Sequence, residues 1–267
     1  MDQIVPMLGD AMQTFVLGVS RVVGAMTGLT FLGAAVLGGQ MIRSYMAIGF
    51  SAVVLPVVYQ GIQVSEPNAM LAIGISVKEF LLGILIATPV MVVVWGAQAV
   101  GAFIDNQRGL TMASSMDPLV GAQSSPLAQL MTLTLVTVFF VAGLFTGFLG
   151  FLYKSYELWP IMTFFPVLDK ALFDLLVMHF LQIVKLAVLL GGPIVIAMFL
   201  SEFGLGLISR FAPQLNVFFL SMSVKSGVAS AMLVVLWGML VVYFSDLLEQ
   251  ALVALTAMEQ LLIGSDS

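Results

Sequence analysis

The sequence predicts an all-α integral membrane protein built from long, partly broken hydrophobic helices. Of its 267 residues, 61% are hydrophobic and only 9% charged; soluble domains carry about 45–50% and about 25% respectively. Six stretches are long and apolar enough to cross a bilayer, which needs roughly 20 such residues for a hydrocarbon core of roughly 30 Å. Glycine occurs 25 times, and small residues let membrane helices approach each other closely.

The six segments lie at about 12–37, 45–63, 71–103, 127–153, 171–208 and 215–245. Arg21 interrupts the first, Lys78 and Glu79 open the third, and Lys185 lies within the fifth. The fifth also contains Gly191, Gly192 and Pro193. Proline removes a backbone donor and clashes with the preceding turn, so a break or bend is expected there. Two connections are long. One, about 104–126, ends in Ser124-Ser125-Pro126, a cap followed by a first-turn proline. The other, about 154–170, has Pro160 and Pro166 bracketing aromatic residues. It reads either as an interfacial aromatic belt or as a boundary between two structural halves. Beyond Tyr243, Leu248, Ala251, Leu252, Leu255, Met258 and Leu262 recur on one helical face. The opposite face is acidic, which points to packing on protein rather than on anionic lipid.

Charge narrows the function. A net charge of −5 leaves no basic footprint for nucleic acid. There is no cysteine, hence no disulfide or thiol chemistry. The single histidine, His179, cannot build a metal site alone and reads as a hydrogen-bonded core residue. The start, "MDQIVPMLGDAMQ", carries Asp2 and Asp10 where a signal peptide has a basic region. It reads as the retained start of the mature protein. With six spans, Arg43, Arg108 and Arg210 fall on one side and Lys78, Lys154 and Lys170 on the other. The usual cytoplasmic excess of basic residues is therefore absent. That suits a chain that is not a plain six-span bundle in lipid, or a weakly biased transporter.

The ionisable residues in apolar segments are Arg21, Lys185, Glu202 and Arg210; such residues mark function by default because burying a charge in lipid is costly. No apolar segment carries a pair of acids, so no proton relay is visible. Lys78 and Glu79 are adjacent, about 100° apart on a helix, and are not expected to face each other. Asp105 and Arg108, three apart, can pair on one helical turn. No nucleophile elbow, zinc helix or phosphate loop occurs, so an enzyme is a poor reading, with no catalytic residue, metal or cofactor to assign. Two classes stay open. A secondary transporter would use the Gly-Gly-Pro break at its substrate site. A structural or channel component would work through shape, with the long polar loop either in a lumen or on the surface. In the lumenal case Met112 and Met116 are flexible enough to seal against varied surfaces.

Two stretches carry a resemblance. "GAFIDNQRGLTMASSMDPLVGAQSSPLAQL" resembles the central loop of the T component of the type III secretion export apparatus, the SctT, SpaR and YscT proteins. "ISRFAPQLNVFFLSMSVKSGVA", with Arg210, Pro213, Gln214, Asn216 and Lys225, resembles a second hallmark of that family. The flagellar FliR proteins share the architecture, and the run Asp105-Asn106-Gln107-Arg108-Gly109 looks like the virulence branch. The resemblance implies one subunit of an export gate, assembled with SctR and SctS. Neighbours would include SctU, SctV and the inner rod or needle. The assembly would be a closed channel through which unfolded proteins cross the inner membrane. It implies an SctR-like part over 1–165 and an SctS-like helical hairpin over 166–267. The plug loop would comprise Asn106, Gln107, Arg108, Gly109, Met112, Met116, Asp117 and Gly121, with Asp105 and Arg108 as its anchor. The hairpin turn is expected at 211–216, because Pro213 disfavours helix at Ala212.

Overall fold

The computed structural model describes residues 4–33, 38–65, 68–109, 125–163, 170–211 and 216–263. Among them every regular element is helical. In chain order these are α1 (Ile4–Gly28), a 3-10 turn (Thr30–Leu32), α2 (Gln40–Ser51), α3 (Leu55–Ser65), α4 (Ala69–Gln107), α5 (Pro126–Val141), α6 (Leu144–Leu158), α7 (Lys170–Phe211) and α8 (Val217–Ile263). Three helical stretches can each cross a membrane by length and composition: Met70–Gln107, Leu181–Phe211 and Val217–Thr256. The pairs α2–α3 and α5–α6 pass the same test only when each is joined across its break.

The breaks fall where the sequence reading did not put them. The expected segment 45–63 bends by 66° between α2 and α3, just before Pro56, whose missing N–H suits a helix start. The expected segment 127–153 stops at Ala142, because Gly143 adopts φ +72°, a left-handed conformation that closes helices. By contrast α7 runs without interruption through Gly191, Gly192 and Pro193, and α4 runs through Pro89. A proline forfeits one ladder bond, and neighbouring helices make that tolerable in an apolar setting. The first expected segment is also displaced, since α1 ends at Gly28.

The chain folds into two compact units that interleave along the sequence: 1–91, 143–176 and 249–267 in one, 92–142 and 177–248 in the other. In the first, Leu17, Val54, Val58, Ile62, Ile75, Tyr156 and Ile161 form a buried apolar cluster. Beside it α1 and α4 cross at near-minimal separation. A Cβ on Gly83 would sit 2.0 Å from the Arg21 carbonyl oxygen, one on Gly24 2.1 Å from that of Phe80, and one on Gly28 2.6 Å from the Ala87 Cβ. Gly24 and Gly28 on α1 thus face Gly83 and Ala87 on α4, each pair four residues apart, the small-residue pattern of close helix crossings. The tail of α8 from residue 249 also belongs to this unit, and Ala251 and Leu255, like Leu248 just before them, are buried as their periodicity predicts.

In the second unit the C-terminal half of α4 is the central element. Gly96 lies under Leu186, and Gly191 lies against the Phe103 ring, where a Cβ would come within 2.9 Å of Cδ1. Gly192 has nothing within 4 Å. Gly191→Leu should therefore lower the thermal stability of the chain, purified with the subunits it assembles with, by about 1–3 kcal/mol of overpacking, while Gly192→Leu should cost less. Equal melting shifts for the two variants would refute this packing. The most apolar window of α4 is 67% buried, against 28% in α7 and 22% in α8. Most of the surface of those last two helices is left for lipid or protein to cover.

Candidate functional site

The opening of the long loop is built around one carboxylate. Asp105, in the last turn of α4, is completely buried. Gly101, one turn earlier, makes this possible: a Cβ there would lie 2.3 Å from the Ala128 backbone nitrogen, so the start of α5 rests directly on α4. Asp105 Oδ2 accepts a hydrogen bond from Ser125 Oγ and another from the Leu127 N–H at 2.9 Å. Its Oδ1 pairs with the Arg108 guanidinium. Ser125 in turn caps α5, its Oγ accepting from the Ala128 N–H at 3.1 Å, with Pro126 as the first helical residue. The cap-and-proline start and the Asp105–Arg108 pair are both as the spacing indicated. What the sequence reading lacked is that one aspartate holds both ends of the loop.

Asn106 and Gln107 are not loop residues. They complete α4 as exposed positions. The chain leaves the helix at Arg108 and Gly109, the latter at φ +94° and packed on Met222 of α8. Met112, Met116, Asp117 and Gly121 lie outside the described residues. Arg108 and Gly109 line an open recess of about 560 Å³ with Met222, Ser223, Ser226 and Ser230. These last three recur with Gly227 at i, i+3, i+4 and i+7, a spacing visible in the sequence that the motif search passed over.

Lower on the same unit, Lys225 Nζ meets Glu202 Oε2 at 3.2 Å, joining α7 to α8. Glu202 is half exposed and Lys225 nearly buried. Arg210 is exposed at the end of α7. The helices stop at Phe211 and resume at Val217, with Asn216 just before α8. Pro213 and Gln214 lie outside the described residues, as does the side chain of His179.

The first unit holds a second buried carboxylate, which the sequence reading did not connect to a partner. Arg21 and Glu79 are both fully buried, and Arg21 Nε donates to Glu79 Oε2 at 2.6 Å. The guanidinium also donates to Ser155 Oγ at 3.0 Å and to the Trp159 carbonyl at 2.8 Å, and it lies 4.0 Å from the Tyr156 ring centroid. That stacking adds cation–π attraction. Lys78 and Glu79 do meet, contrary to expectation, with Nζ 2.8 Å from Oε1. The flexible lysine stem closes the angle, because Nζ also donates to the Ile161 carbonyl at 2.6 Å and to that of Thr163 at 2.9 Å. The corner after α6 is thus tied down by two cations. Trp159 and Ile161 are buried in it, so in its described part this stretch packs inside the chain, against the interfacial-belt alternative. Among the described residues no group of acids or histidines could hold a metal ion.

Residues 12–251 match the family described as bacterial export proteins, family 1. The chain is similar to the Yop proteins translocation protein T of Yersinia pestis, 40% identical over 235 residues covering 86% of this chain and 89% of the relative. It is 33% identical over 215 residues to the surface presentation of antigens protein SpaR of Salmonella typhimurium, covering 80% and 78%. Over 159 residues it is 28% identical to the flagellar biosynthetic protein FliR of Bacillus subtilis, covering 59% and 61%. Matched along most of its length by that family and by these relatives, the chain belongs to the bacterial export proteins, family 1, and is a T-type component of a type III export apparatus.

Proposed function

We propose that the chain is the structural subunit of the export gate that forms part of the closed channel for unfolded proteins leaving across the bacterial inner membrane. The observation that carries this reading is the uncovered state of α7 and α8. Ile196, Phe199, Leu200 and Phe203 on α7, and Val234, Val235 and Met239 on α8, are all more than half exposed. Hydrophobic helices with so little cover within their own chain suit assembly with similar helices. The partners of this reading are SctR and SctS in a hetero-oligomer, with SctU, SctV and the inner rod or needle adjoining, and membrane lipid around it. The chain would be multi-pass, extending toward the periplasm within the complex. Its first 165 residues would be the SctR-like part and the remainder the SctS-like hairpin, with Arg210, Pro213, Gln214, Asn216 and Lys225 at the turn and in assembly.

In this reading the loop from Arg108 to Ser125 plugs the channel, with Met112 and Met116 as the sealing residues, and no residue is catalytic. A small-solute transporter, the other class the sequence left open, is not favoured by the named relatives. Copurification tests the proposal. Tagged and expressed from its operon, the chain should elute with two other small hydrophobic proteins in fixed ratio, and expressed alone it should be unstable. A chain equally stable and monodisperse alone would overturn it.

A further inference from the structure

We infer that Asp105 is the positioning residue of the loop, stapling both of its ends to one point. The inference builds on the plug reading but is carried by separate geometry. A fully buried carboxylate spends its two oxygens on groups from opposite ends of the loop. Oδ1 takes Arg108, where the chain leaves α4, and Oδ2 takes the Ser125 hydroxyl and the Leu127 N–H, where it enters α5. Charge-assisted hydrogen bonds are the strong ones, and here two of them and an ion pair converge on one side chain. A Cβ on Gly101 would lie 2.3 Å from the Ala128 nitrogen, so its absence lets the two helices meet at this level.

Such a staple has a mechanical meaning. A loop whose ends sit on two independently moving helices would change its reach whenever those helices shifted. With both ends on one carboxylate, the separation between the end of α4 and the start of α5 is set by Asp105. Asp105 acts through Arg108 and Ser125 rather than by touching anything in a channel.

The absence of cysteine in the chain gives a direct readout. Met116→Cys is introduced alone and with Asp105→Asn or Asp105→Ala, and the complete gate complex is reacted with a membrane-impermeant maleimide. Asparagine keeps an acceptor for Ser125 and Leu127 but loses the ionic hold on Arg108; alanine loses everything. The labelling rate should change in rank order, alanine more than asparagine. The alanine effect should be on the order of tenfold, the factor produced by about 1.4 kcal/mol of lost holding free energy. If the alanine variant fails to assemble, Asp105→Asn and Arg108→Gln, which leaves Ser125 and Leu127 bonded, carry the test. Unchanged labelling in assembled complexes would overturn the staple. Small-solute leakage, measured on the same complexes, separates the two readings. Altered labelling without leakage leaves the staple standing and removes the plug, whereas leakage with unaltered labelling removes the staple and leaves the plug.

Discussion

Glu79→Leu should nearly abolish accumulation of the folded chain, and it should be far more damaging than Arg21→Met. The reason is charge balance in a buried place. Glu79 serves two cations, Arg21 and Lys78. Removing it leaves both positive charges buried together without a counter-charge, and breaking a buried pair costs about 3–5 kcal/mol. That is a large part of the roughly 5–15 kcal/mol by which folded domains are stable. Removing Arg21 instead leaves Glu79 balanced by Lys78, and the loss is of the hydrogen bonds to Glu79, Ser155 and Trp159 and the stacking on Tyr156, with no charge stranded. The double variant Arg21→Met, Glu79→Leu should recover part of what Glu79→Leu loses, because one of the two stranded cations is gone. Yield and melting temperature of the purified gate complex are the measurements. Equal losses in the two single variants would show that the charges are not coupled as the distances suggest.

Deleting residues 110–117 should leave assembly intact and make the resting channel leak. Assembly survives because the ends of the loop already meet at Asp105. The residues that remain between Gly109 and Ser125 have only a short gap to close, and the entropy of loop closure falls slowly with length. The leak follows because the deletion removes Met112 and Met116, which fill irregular gaps well. Ion or small-solute flux in cells producing the complete complex, compared with the unaltered chain, decides the matter. A complex that assembles fully and leaks no more than wild type would mean that the loop is not the seal.

What was legible in the sequence is what local chemistry determines. Ser125 and Pro126 announce the start of α5, Asp105 and Arg108 sit one helical turn apart, and the buried stripe at Leu248, Ala251 and Leu255 follows directly from its spacing. The helix breaks were misjudged because proline is a weak breaker in an apolar bundle, while the break at Gly143 rests on one left-handed residue among 25 glycines. Pairing between elements was illegible for a different reason. Nothing near Arg21 indicates that its counter-charge lies 58 residues on, since only the crossing of α1 with α4 brings them together. The crossing itself did leave a signal, in Gly24 and Gly28 against Gly83 and Ala87, and reading it first would have placed Arg21 beside Glu79.

The separation of Arg21 from its partners also bears on how the protein is made. Arg21 leaves the ribosome 58 residues before Glu79 and 138 residues before Trp159. At about 5–20 residues per second, the guanidinium waits on the order of seconds for its carboxylate and longer for the carbonyl that completes its site. Throughout that interval an unpaired cation on α1 is costly to place in hydrocarbon. The buried charge of α1 therefore stays unmatched until α4 has been made, and its site incomplete until the corner after α6 follows.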